Sequence, residues 1–348
     1  MKELVKALEW KDEALYLIDQ RKLPLEETFV KVTTLEECHG AIKDMVVRGA
    51  PLIGFTAIYG MVLWIKNNRQ ACLEELNKAA DYLNTARPTA VNLEYEVLRI
   101  KQMAVEYEGR FDAFYPIIEE HAKAQMQVLA DGNLAMAKLG ADELEKRCGG
   151  GKLNLMTLCN TGWLACGPMG TALGVISHMH SLGRVEKAYP SETRPYLQGI
   201  RLSSYELTKE GIPHDIVVEG AHSFLLRNKM VDAIFIGADR IVSNGDTANK
   251  VGSSSLAIVA KHYGIPFYVV APTSSFDLGS ETGDEIEIEM RSQDEVLYCG
   301  GTRLAPEGAT AWNPSFDVTD ASLIECIICE KGLIKPVNKE NLLKVVNS

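Results

Sequence analysis

The chain has no run of 18 apolar residues, so no stretch of it reads as a membrane-spanning helix. It is short of positive charge: 36 Lys and Arg stand against 47 Asp and Glu, a net −11. That balance argues against a broad nucleic-acid or anionic-membrane surface, although a local basic cluster for a small anion stays open. The eight cysteines, at 38, 72, 148, 159, 166, 299, 326 and 329, are too scattered for a disulfide scaffold. The opening "MKELVKALEWKDEALYLIDQ" has no apolar core of the secretory kind, and a reduced, cytoplasmic protein is expected. No G-x-G-x-x-G or Walker string occurs, which removes the signal for a dinucleotide dehydrogenase or nucleotide binder. Cys326 and Cys329 form a lone C-x-x-C inside an apolar pattern that reads as helix. The seven histidines show no ligand spacing, so neither metal nor cofactor is expected. Repeats, low-complexity tracts and Pro/Ser-rich linkers are also missing.

What is there is ordinary for a globular protein, 46% hydrophobic and 24% charged, and 348 residues suit two domains. After a strand-like start, "EALYLIDQRKL", the first half reads as helix at 34–47, 54–68, 71–84 and 111–147, with Asp131-Gly132 a candidate break. Past the breaker "RCGGGK" the rhythm changes. Apolar runs at 153–159, 184–189, 215–219, 233–238 and 266–271 alternate with helix-compatible segments at 168–182, 195–210, 220–230 and 249–263. Such alternation predicts a doubly wound α/β domain with a parallel sheet. Residues 1–130 are expected to form a mainly helical domain, and 131–348 the α/β domain.

Parallel sheets bind ligands beyond the carboxyl ends of their strands. Cys159, Glu192 and Asp239 fall at or just past such ends and are expected to converge on one crevice. In apolar surroundings the Asp239 carboxyl would keep its proton and act as a general acid. Asn249 and Lys250 are expected to open the following helix, whose N-terminus favours an anion, with Gly245 and Gly252 allowing close backbone approach. Cys159 is the candidate reactive thiol and Cys166 a structural one. Arg48, Arg87 and Arg194 each precede Gly or Pro in turn-like strings, and guanidinium groups so placed suit a phosphate.

The strings "VVRGAPLIG", "TARPTAVNL", "LCNTGWLACGPMGTALGVI", "ETRPYLQGIRLSSYEL", "IGADRIVSNGDTANKVG", "VVAPTSSFD" and "TRLAPEGATAWNPSFDVT" occur in order over residues 46–319. Together they resemble the methylthioribose-1-phosphate isomerase family, whose superfamily includes ribose-1,5-bisphosphate isomerases and regulatory subunits of the initiation-factor exchange complex. The resemblance implies a helical N-terminal domain with a small β-sheet, a Rossmann-like C-terminal domain and a homodimer. It assigns substrate binding to Arg48, Gly49, Ala50, Arg87, Gln198, Asn249 and Lys250, and catalysis to Cys159 and Asp239.

Two departures stand out. Trp163 follows "CNTG", where the family usually has a small residue, and Ala86 replaces the serine of "SRPT". Trp163, with Arg194, would shape the pocket. An aromatic there opens the alternative of a smaller substrate, 5-deoxyribose 1-phosphate. A non-catalytic regulatory subunit that binds a sugar phosphate is the rival from another class, but it has no need of a Cys159–Asp239 pair. Closure over the crevice is expected to shield the 48–54 and 85–93 loops.

Overall fold

Packing divides the chain into two units, one comprising Met1–Asp131 with Gly162–Gly170 and the other Gly132–Thr161 with Thr171–Ser348. The computed structural model describes residues 5–88, 91–107 and 110–348. Residues 162–170, which the sequence reading places in the second domain, belong to the first unit.

In the first unit β1 (Leu8–Lys11) and β2 (Ala14–Ile18) pair antiparallel across Asp12-Glu13. Both turn residues have positive φ, as a tight two-residue hairpin requires. β3 (Phe29–Val32), which the periodicity does not reveal, completes the small sheet on the other side of β2. α1 (Leu35–Lys43) starts at a capping box, with the Thr34 hydroxyl accepting the Glu37 N–H and the Glu37 carboxylate accepting backbone N–H groups of Thr33 and Thr34. α2 (Ala50–Asn67) is buried around most of its circumference, so it forms the centre of this unit. α1, α3 (Leu73–Asn84) and α4 (Val91–Val105) pack against it. α5 (Phe111–Cys148) runs unbroken through Asp131-Gly132, contrary to the candidate break, because one glycine costs a helix only about 1 kcal/mol. The unit boundary falls there instead.

The second unit begins with β4 (Leu153–Thr157). The short α6 (Trp163–Cys166), a first-unit segment, precedes α7 (Ala172–Ser181), β5 (Val185–Pro190), α8 (Ser204–Glu210), α9 (His222–Arg227) and β6 (Ala233–Ile236). There follow β7 (Arg240–Val242), β8 (Thr247–Lys250), α10 (Ser253–Tyr263), β9 (Phe267–Val270) and β10 (Phe276–Asp277). The chain ends with α11 (Asp294–Leu297), the hairpin β11 (Tyr298–Cys299) and β12 (Thr302–Arg303), then β13 (Phe316–Thr319), β14 (Cys326–Cys329), β15 (Gly332–Ile334) and α12 (Lys339–Val346).

The main sheet has the order β15-β14-β9-β6-β4-β5, parallel except for β15. Both faces are covered, which is why its strands read as continuous apolar runs. Ala233, Phe235, Tyr268 and Val270 face one core with α7; Ile234, Ile236, Phe267 and Val269 face the other with α9, α10 and α12. Phe235 and Tyr268 stack at 4.9 Å between ring centroids. Two expectations are corrected. Residues 215–219 form no strand of the sheet; Val217 makes only an isolated bridge to Ser191, as His214 does to Ala188. "CIIC" is the buried strand β14, not a helix. Three residues apart on a strand, Cys326 and Cys329 leave opposite faces and do not chelate one ion.

Candidate functional site

From β4 the chain crosses to β5 on one side and then to β6 on the other, so the carboxyl ends of β4 and β6 form the switch point of the sheet. A crevice is built in at such a point, because the flanking connections diverge to opposite faces. Cys159 lies two residues beyond β4, Glu192 two beyond β5, and Asp239 three beyond β6. The first and last of these loops touch. A Cβ on Gly237 would sit 2.8 Å from Thr161 Cγ2, so only glycine allows this approach. Thr161 in turn starts α7, its hydroxyl accepting the Leu173 N–H at 3.0 Å.

Cys159 is buried at 7% exposure and has φ +65°, left-handed backbone that a side chain adopts at a cost of about 1–3 kcal/mol. Side chains from the segment after β5 satisfy its backbone. Its N–H donates to Thr193 Oγ1 at 2.9 Å, and its carbonyl accepts from Ser203 Oγ at 2.7 Å. The next residue, Asn160, donates from Nδ2 to Glu206 Oε1 at 2.8 Å. The sequence singled out "ETRPYLQGIRLSSYEL" but gave Thr193, Ser203 and Glu206 no role; hydroxyl residues spaced through one string beside Gln198 were the available sign.

Asp239 stands at a bend before β7 with its N–H donating to the Ala248 carbonyl at 2.9 Å. It is exposed, so the apolar setting expected for its carboxyl is not in place. The segment "RIVSNGDTANK" is a hairpin, not a connection into a helix. β7 and β8 pair antiparallel within a second sheet of order β10-β7-β8-β13. Asn249 and Lys250 therefore lie on β8, and α10 begins three residues later behind Gly252. The amides at that helix start are taken by Asp317, whose carboxylate accepts from Gly252 and Ser254 N–H at 2.7 and 3.1 Å. Burial pushes the Asp317 carboxyl up and these amides pull it back, with a net rise. The α10 terminus is thus not the expected anion site.

Lys250 is nearly buried, with its ammonium 2.9 Å from the Ser315 carbonyl and 4.4 Å from the Phe316 ring centroid. It shares a small open cleft with Gln198, Arg291 and Asn313. Gln198 is 4% exposed, and its Oε1 has no hydrogen-bond partner among the described residues. Arg291 is paired there with Glu295, and a buried acceptor beside the Lys250 ammonium suits a ligand that carries both hydroxyl and anionic groups. Arg291 was missed because its string carries no turn signal, whereas Asn313, before Pro314 in a quoted string, had one and was given no role. Asn249 instead donates to Ser253 Oγ at 2.9 Å, bracing the start of α10.

Arg194 donates to the Pro195 and Val296 carbonyls at 3.0 and 2.9 Å, so its guanidinium ties two backbone segments together. In the first unit Arg48 is nearly buried just before the start of α2. Gly49 caps that helix at φ +89°, where a Cβ would lie 2.4 Å from the Ala165 carbonyl oxygen. Ala50 is its first residue, and no side chain caps its amides. Arg87 and Trp163 are half-buried. Thr89 and Ala90, part of the loop expected to close, lie outside the described residues. Among the described residues no helix is long and apolar enough to cross a membrane.

Residues 46–336 match the model of the initiation factor 2 subunit family. A methylthioribose-1-phosphate isomerase of Thermotoga neapolitana is 44% identical over 99% of both chains. The solved structure of the 5-methylthioribose 1-phosphate isomerase of Pyrococcus horikoshii superposes with TM-score 0.92 at 39% identity, covering 99% of this chain and 97% of that one. A structure of the translation initiation factor eIF-2B, subunit delta, from A. fulgidus gives 0.88 at 34% identity over 99% and 100%.

Proposed function

Because the chain belongs to the initiation factor 2 subunit family, with isomerase relatives matched from end to end, we propose that it converts 5-methylthioribose 1-phosphate to 5-methylthioribulose 1-phosphate. The chain is an isomerase, and its place is methionine salvage. One observation speaks for the detailed reading: a backbone-strained, buried cysteine and an aspartate stand on two touching loops at the sheet's switch point.

An aldose 1-phosphate has its anomeric oxygen esterified, so its ring does not open spontaneously. In our reading Asp239 protonates the ring oxygen as its bond to C1 breaks, and a sugar seated over the exposed carboxyl shields it from solvent. Cys159, as thiolate, takes the proton from C2 to give an enol phosphate and returns it to C1, while the C2 hydroxyl gives its proton to the Asp239 carboxylate, leaving a carbonyl at C2 and both groups restored. Lys250 meets the phosphate and Gln198 Oε1 accepts a sugar hydroxyl. Arg48, Gly49, Ala50, Arg87 and Asn249 complete binding by the same resemblance, and their parts are testable one substitution at a time.

Cys159→Ser and Asp239→Asn are each expected to lower kcat by about 10²–10⁴-fold with the fold intact. A near-normal rate in either variant overturns the assignment. Turnover in deuterated water separates the routes: deuterium at C1 of the product supports the enol, whereas its complete absence favours a C2-to-C1 hydride shift. A cytoplasmic homodimer completes the proposal; sedimentation at micromolar concentration checks the dimer.

A further inference from the structure

Cys159 is held in its left-handed conformation from outside its own loop. The Thr193 hydroxyl has one proton, which it gives to the Ser191 carbonyl at 2.9 Å; its lone pair then receives the Cys159 N–H. The hydroxyl therefore has a fixed orientation. Its backing is rigid as well. Ser191 N–H donates to the Thr157 carbonyl at 2.8 Å, carrying the β4–β5 ladder one step further. The Ser191 carbonyl is so crowded that a Cβ on Gly199 would come within 1.5 Å of its oxygen. Glu219 Oε1 accepts both the Ser191 hydroxyl, at 2.8 Å, and the Thr193 N–H. Thr193 itself is 1% exposed with φ +66°.

We propose that Thr193 is a positioning residue: by accepting the Cys159 N–H on a hydroxyl anchored to the Ser191 carbonyl, with its own backbone N–H held by Glu219, it sets the direction of the Cys159 side chain for proton transfer. This rests on the isomerase reading above. Nothing in Thr193 reacts. Its loss would let the Cys159 backbone relax toward ordinary φ and swing the thiol away from the sugar carbons, a displacement of the size that costs about a hundredfold in rate.

The test uses the full-length chain with Thr193→Val, which keeps the shape and removes the acceptor, and Thr193→Ser, which keeps the hydroxyl. Thr193→Val is expected to lower kcat by about tenfold to a hundredfold with KM within about threefold. It should also speed hydrogen exchange of the Cys159 amide by about tenfold or more. Thr193→Ser should restore both. Wild-type kcat or wild-type Cys159 exchange in Thr193→Val overturns the proposal, as does a Thr193→Ser variant no better than it. If the valine variant does not fold, Thr193→Ala must show the same paired defects. A fully active Cys159→Ser enzyme would instead remove the catalytic role of Cys159 on which the proposal rests, and the amide-exchange result tells the two failures apart.

Discussion

The Ser191 hydroxyl has a single proton and donates it to Glu219, so His222 Nε2, 3.0 Å from the same oxygen, must carry a proton of its own. A neutral imidazole does this. Burial lowers the affinity of His222 for a second proton and Glu219 raises it, with a net depression below the ordinary 6.5. A histidine with a depressed folded pKa contributes stability that is complete above 6.5 and lost as pH falls toward the folded value. Between pH 7 and 5 the unfolding free energy of the wild-type chain, measured in urea, should therefore drop more steeply than that of His222→Gln, by up to about 1.4 kcal/mol per pH unit. Parallel pH profiles would refute this. The same network explains why "LQG" must end in glycine, since the Ser191 carbonyl occupies the space of any Cβ at 199.

At the scale of elements, the β7–β8 hairpin is braced through its turn. Asp246 accepts N–H groups from Gly283 at 3.0 Å and Ala321 at 2.9 Å, besides the Asn244 side chain at 2.8 Å. Asp246→Ala strands these donors and should lower unfolding stability by about 2 kcal/mol, raising KM because Lys250 ends the same hairpin. An unchanged denaturation midpoint would show the carboxylate to be dispensable. Strands β4, β6 and β9 were legible because both their faces are buried and they read as mostly apolar runs, whereas the edge strand β5, "VEKAYP", carries an exposed Glu186 and was marked by its spacing between helices. β14 was misread because "LIECIICEKG" offers equal apolar content to a helix and a central strand. β8 was hidden because "TANK" carries no β-branched alternation after its threonine; its strand state comes from pairing with β7 and β13, which periodicity does not report. Cys159 and Asp239 were findable from strand ends alone. The braces on Cys159, Thr193 and Ser203, and the one on the start of α10, Asp317, reach across many residues of chain and leave no local pattern.

For the whole molecule the choice is among sugars, since the chain is an isomerase although one similar structure is described as a translation-factor subunit. A panel of 5-methylthio, 5-deoxy and 5-phospho ribose 1-phosphates, compared by kcat/KM, should rank the methylthio sugar first. A deoxy sugar in first place would give Trp163 a part in selection. The second unit also draws its order from late in the sequence. Val337 fills the space left by Gly245, Ala321 binds Asp246, and Asp317 ties down the start of α10. During synthesis on the ribosome, then, the lysine-bearing hairpin gains its partners late and one at a time, and a nascent chain released before Val337 keeps the Asp246 and β13 contacts but leaves the space beside Gly245 unfilled.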